Sequence, residues 1–148
     1  MRIDKQHRRH FGQWDNWLDQ VKEGPHYFNQ NQIATLMMES VLYRNHTEYE
    51  LICVTVMPNH THLIFQVLKD GVPLHHTMGS LKKYVGLRAN LLLDRQGAFW
   101  QDENWDRIVR NPAELARIIR YVLENPVKAG LVGDWTEGPY TYLSPDYQ

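Results

Sequence analysis

The run Tyr49-Glu-Leu-Ile-Cys-Val-Thr-Val56, interrupted by Met57-Pro58-Asn59 and resumed as His60-Thr-His-Leu-Ile-Phe-Gln-Val67, constrains this chain more than any other segment. Both halves are β-branched and apolar, the composition that suits a pleated strand. Proline and asparagine between them reverse the chain, so two antiparallel strands are predicted.

Helical patterns flank this hairpin. From Asn31 to Arg44 the apolar positions Ile33, Leu36, Met37, Val41 and Leu42 describe an amphipathic helix. Asp70-Gly71 ends the hairpin, and Pro73 suits the first position of a helix that Leu74, Met78, Leu81, Val85, Leu91 and Leu92 carry to about Asp94. Asn111-Pro-Ala-Glu114 reads as an N-cap, a first-turn proline and a Glu three residues on. Leu115, Ile118, Ile119 and Val122 give that helix its buried stripe, and Pro126 is expected to end it. Phe11, Trp14, Trp17, Leu18 and Val21 also stand at helical spacing, up to the break at Gly24-Pro25. Phe99-Trp100-Gln101 and Trp105 to Val109 read as short irregular or extended pieces. The tail from Gly130 is turn-rich and is expected to pack Trp135 and Tyr142 back on the body. The expectation is an α+β fold around an antiparallel sheet, one domain over 1–148.

Hydrophobic residues make up 43% and charged residues 22%, which excludes a disordered or low-complexity chain. No run approaches the ~18 apolar residues of a membrane span. The basic N-terminus is not followed by the apolar run of a signal peptide. The single cysteine, Cys53, forbids an internal disulfide and fits a reducing compartment. A soluble, cytoplasmic protein with no membrane partner is therefore expected. The formal charge is −1, yet its distribution is uneven: residues 1–12 carry four basic groups against one acidic, and residues 82–128 nine against six. Two such patches could hold a few phosphates or simply be solvated helix faces.

Two features could carry chemistry. His60 and His62 sit two apart at the start of a strand and so share one face, roughly 6.5–7 Å apart along it. Two imidazoles there can converge on one ion, with Thr61 turned into the core, and the pair alone does not name the metal. Two surface histidines in a turn would give the same pattern. Tyr121 and Asn125 are four apart at the end of the last helix and face the same way if its final turn holds. A core-edge tyrosine beside a pre-proline helix stop would also read so.

In combination these residues resemble a known family. Met57-Pro-Asn-His-Thr-His-Leu63, Leu81-Lys-Lys-Tyr84, Phe99-Trp-Gln101, Asp106-Arg-Ile-Val-Arg110 and Tyr121-Val-Leu-Glu-Asn-Pro-Val-Lys-Ala-Gly-Leu-Val132 stand in the order found in REP-associated tyrosine transposases. These are single-tyrosine HUH endonucleases, and the likeness covers roughly residues 11–132. It implies the HUH fold, a ferredoxin-like antiparallel sheet with helices packed on it. It also implies a divalent ion, Mg²⁺ or Mn²⁺, on His60, His62 and Asn125, with Tyr121 as nucleophile toward a single-stranded DNA phosphate. The product would be a 5′-phosphotyrosine and a free 3′-hydroxyl, and a second attack would rejoin the strand. The implied partner is single-stranded or hairpin DNA of palindromic repeats, and the likeness leaves monomer and homodimer open. Lys82, Lys83, Arg88, Arg110, Arg117, Arg120 and Lys128 are then candidate phosphate contacts, and Trp100 or Trp105 a platform for an unpaired base.

The chain departs from the pattern in two places that bear on the fold. Thr61 replaces a large hydrophobe in the histidine motif. Family members also begin with an apolar strand inside the sheet, and none is evident ahead of Phe11. The first strand is thus expected to be missing or supplied otherwise, for example by a partner chain. That departure keeps a second reading open, a hairpin DNA-binding protein that has lost catalysis. A hydrolase using only the histidine pair is a third.

Overall fold

In the computed structural model the described residues are 11–17, 26–68, 73–101, 105–109 and 111–148. Five strands form one antiparallel sheet: β1 (Phe11–Trp17), β2 (Tyr49–Met57), β3 (His60–Val67), β4 (Trp105–Val109) and β5 (Thr141–Leu143). Their order is β4-β1-β3-β2-β5. The hairpin of β2 and β3 is the one expected, closed by Pro58-Asn59 with Met57 opposite His60.

Among the described residues three α-helices cover the sheet: α1 (Asn31–Tyr43), α2 (Leu74–Leu92) and α3 (Pro112–Lys128). Two buried clusters show how they are shared between its faces. Ile33, Met37 and Val41 of α1 and Leu81 and Val85 of α2 pack with Trp14, Leu63 and Phe65. Leu115, Ile119 and Val122 of α3 pack with Phe11, Ile64 and Val109 on the other face. Strand β3 therefore feeds both cores by alternation. Thr61 falls with Leu63 and Phe65 and is fully buried, as its place between the histidines predicts. A bulge between Leu51 and Cys53 puts the adjacent residues Ile52 and Cys53 in the same cluster.

The first strand is present, which corrects both the expected absence and the helix proposed for the segment from Phe11. Residues 11–17 pair with β3 along their whole length, from Phe11 opposite Gln66 to Trp17 opposite His60. They also pair with β4 on their other edge. A strand covered on both faces mixes residue types, so Trp14 and Trp17, three apart, imitate a helical stripe. The true period is two: Phe11 points to the α3 face and Trp14 to the other.

The end of α3 is a second correction. Pro126 lies inside the helix, which runs two residues further to Lys128. The lost proline N–H sits in the final turn, where few bonds remain to lose. The end is closed by Gly130 at φ 74°, whose N–H donates to the Val127 carbonyl at 3.0 Å, and by the Leu131 N–H donating to the Pro126 carbonyl at 2.9 Å. This is a Schellman cap, and the positive φ is what the glycine supplies. At the other end the Asn111 side chain accepts from the Glu114 N–H at 2.8 Å, the cap read from the sequence.

Gly12 tests the placement of β1. A Cβ at this position would lie 2.8 Å from Cζ of the buried Phe65 ring. Gly12→Ala should therefore destabilise the protein by about 1–3 kcal/mol, the usual cost of overpacking. Were the segment helical, the same change would stabilise by up to about 1 kcal/mol. The sign, read from urea unfolding midpoints, separates the two.

Candidate active site

Strand β3 begins at the turn, with His60 and His62 on the face that α3 covers. Both are buried, at 7% and 3% exposure. Their Nε2 atoms face each other at 2.8 Å, with the rings 4.5 Å apart and nearly perpendicular. The pair thus converges, and neither residue is a surface turn histidine. Burial, and secondarily the neighbouring His62, pushes the His60 imidazole down to about 3, so it is neutral near pH 7.

Helix α3 brings the other two expected residues to this pair. Asn125 Nδ2 lies 3.1 Å from His62 Nε2. Tyr121, one turn earlier, is 49% exposed, and its ring stands edge-on to His62 at 5.8 Å between centroids. The continuation of α3 through Pro126 keeps residues 121 and 125 on one stripe. His60, His62, Tyr121 and Asn125 thus meet within one chain.

One member of the cluster was not found from the sequence. Asp15 of β1 sits directly opposite His62 in the ladder, and its Oδ1 lies 2.7 Å from His62 Nδ1. With Nδ1–H donated to this carboxylate, Nε2 of His62 presents a lone pair toward His60 and the Asn125 amide. His60 Nδ1 lies 2.9 Å from Asn59 Oδ1. Two imidazole nitrogens and the Asn125 amide thus come together on this face, and neutral imidazole is a good ligand for divalent ions. Among the described residues no group of three His, Cys, Asp or Glu side chains is placed to hold a metal ion.

The proposed DNA contacts divide between two faces. Arg117, Arg120 and Lys128 are exposed on α3, beside Tyr121. Lys83 is exposed and Lys82 half-buried on α2, across the sheet. Arg88, also on α2, lies over the Tyr84 ring at 4.5 Å. Arg110 and the Trp105 side chain fall outside the described residues. Trp100 is not a platform for a base. It is 7% exposed among Trp14, Phe28 and Phe99, and its indole N–H donates to the Lys82 carbonyl at 2.9 Å. Its large apolar ring gains more from the core than from solvent. Cys53 is no rival nucleophile, since burial pushes its thiol up to about 12.

No family model matches the chain. A Haemophilus influenzae protein (strain ATCC 51907 / DSM 11121 / KW20 / Rd), provisionally named a REP-associated tyrosine transposase, is 24% identical over 110 residues, 68% of this chain. The match spans 62% of that relative's length. Among solved structures, a REP-associated tyrosine transposase bound to a REP hairpin superposes with a TM-score of 0.65 at 18% identity, covering 95% of this chain and 82% of that one. A provisionally named transposase from Deinococcus radiodurans R1 gives 0.53 at 16% identity, over 82% of this chain and 95% of that one. The chain is thus similar to REP-associated tyrosine transposases in sequence and shares the fold of a solved member.

Proposed function

We propose that this protein is a metal-dependent transposase that nicks and rejoins single-stranded DNA at palindromic hairpin repeats, with Tyr121 as nucleophile. The observation that carries this reading is the meeting of Tyr121 with His60, His62 and Asn125 at one point of the fold. The similarity to hairpin-bound and named transposases supports it.

The chemistry follows from the groups present. The Tyr121 oxygen attacks phosphorus in the DNA backbone. A Tyr121 O–P bond forms, the P–O3′ bond breaks, the 3′-oxygen leaves as a hydroxyl, and the phenol gives up its proton. The bond energy is kept in the phosphotyrosine, so the returning 3′-hydroxyl can reseal the strand without another energy source. A free phenol with a pKa near 10 is a weak nucleophile at neutral pH. A divalent cation, Mg²⁺ or Mn²⁺, held by His60, His62 and Asn125 would supply Lewis-acid polarisation of the phosphate. Burial keeps His60 neutral and therefore able to donate a lone pair. Tyr121 is half-exposed and so open to an incoming strand, while its ring stands against His62.

The alternative of a binding protein that has lost catalysis rested on a missing strand, and β1 removes that ground. Incubation with end-labelled repeat hairpins and Mn²⁺ tests the rest. A covalent protein–DNA adduct on a denaturing gel is expected for the native chain. It should vanish with Tyr121→Phe and with EDTA, and fall at least a hundredfold in His62→Ala. Cleavage that persists in Tyr121→Phe but not in His60→Ala would instead indicate hydrolysis by the histidine pair.

In this reading the substrate strand runs along α3, because Arg117, Tyr121 and Asn125 succeed one another there every four residues. Arg117→Glu with Arg120→Glu should weaken hairpin binding and flatten its salt dependence by about one unit per lost phosphate contact. Lys83→Glu with Arg88→Glu, across the sheet, should do less. Equal losses in gel shifts at several salt concentrations would place DNA on both faces.

A further inference from the structure

We infer that Asp15 is a positioning residue that fixes the tautomer of His62, and through it the direction of the His62 lone pair into the site. The inference rests on the metal-site reading above, yet its first readout does not depend on it. Asp15 and His62 are directly opposed on adjacent strands, so the ladder itself sets their distance. The two side chains are 12% and 3% exposed and meet at 2.7 Å. A carboxylate at an interior strand position is unfavourable unless it is hydrogen-bonded. Here its Oδ1 accepts from His62 Nδ1, the ring nitrogen that points away from His60 and Asn125.

The opposite side of the ring agrees. With Nδ1–H tied to Asp15, Nε2 has no proton and can accept the Asn125 amide N–H at 3.1 Å. A proton on Nε2 would find His60 Nε2 as acceptor at 2.8 Å, but the carboxylate would then face the Nδ1 lone pair and the Asn125 N–H would meet another donor. Partners behind an imidazole ligand orient the ring and raise its basicity, and their loss commonly weakens metal affinity 10- to 100-fold. Asp15 is therefore assigned a role through His62, with no contact to the DNA or the reacting phosphate.

The test uses the full chain with ¹⁵N-labelled histidine, in EDTA, and reads the His62 ring nitrogens by long-range ¹H–¹⁵N correlation. The wild type should show His62 protonated at Nδ1. In Asp15→Ala that preference should be lost. In Asp15→Asn it should weaken, because the amide can offer either its oxygen or its NH₂. Mn²⁺ titration followed by electron paramagnetic resonance should then show affinity lowered about 10- to 100-fold in Asp15→Ala. An Nε2-protonated His62 in the wild type overturns the assignment, whether or not the variants fold. So does a His62 that stays Nδ1-protonated in a folded Asp15→Ala, as judged by its amide spectrum. Absence of Mn²⁺ binding to the wild type with the tautomer shift intact would sink the metal reading and leave Asp15 in its role.

Discussion

The pairing of β3 between β1 and β2 is the constraint on which the rest of this structure depends. A strand hydrogen-bonded on both edges has no freedom of register, because slipping by one residue would exchange its two faces. Leu63 and Phe65 are committed to the α1–α2 core and Ile64 to the α3 core. His60 and His62 inherit the α3 face from that alternation. Their convergence is a consequence of packing two residues further along the strand, where the apolar sequence is fixed by burial.

A buried polar cluster of this kind is favourable only when its members are satisfied together. Removing two imidazoles and a carboxylate from water is costly, and each hydrogen bond among them offsets part of that cost. Three elements contribute one part each: the histidines on β3, Asp15 on β1 and Asn125 on α3. No element could hold the site alone. The cluster therefore also couples α3 to the sheet at the end that carries Tyr121, which sets the tyrosine's position while leaving the residue half-exposed.

Local patterns made much of this legible in the sequence. The hairpin was read from its β-branched residues and turn, the cap of α3 from Asn111 and Glu114, and the helical stripes from their spacing. The same-face placement of His60 and His62 needed only the period of a strand, and that of Tyr121 and Asn125 only the period of a helix. What was missed is non-local. Residues 11–17 contain Trp, Asp and Asn in no clean alternation, since residues 11–15 are buried on both faces of the strand and one face carries a polar partner for His62. Asp15 carries no signal of its own. Its role arises from a register with residues 47 positions away, which no short motif encodes.

Pro126 shows how a local rule yields to its context. Taken alone, a proline biases the preceding residue away from helical backbone, and Asn125 would then leave the stripe that carries Tyr121. Here the ring is buried. The turn beyond it is closed by bonds from Gly130 and Leu131, the latter to the Pro126 carbonyl itself. The missing N–H costs one bond near the end of a helix whose apolar stripe is already held against Ile64 and Val109. Packing thus outweighs the proline's local preference, and the helix carries its register two residues past the point where the chain signals a stop. Because of that extension the amide of Asn125 points at His62 and the ring of Tyr121 lies beside it.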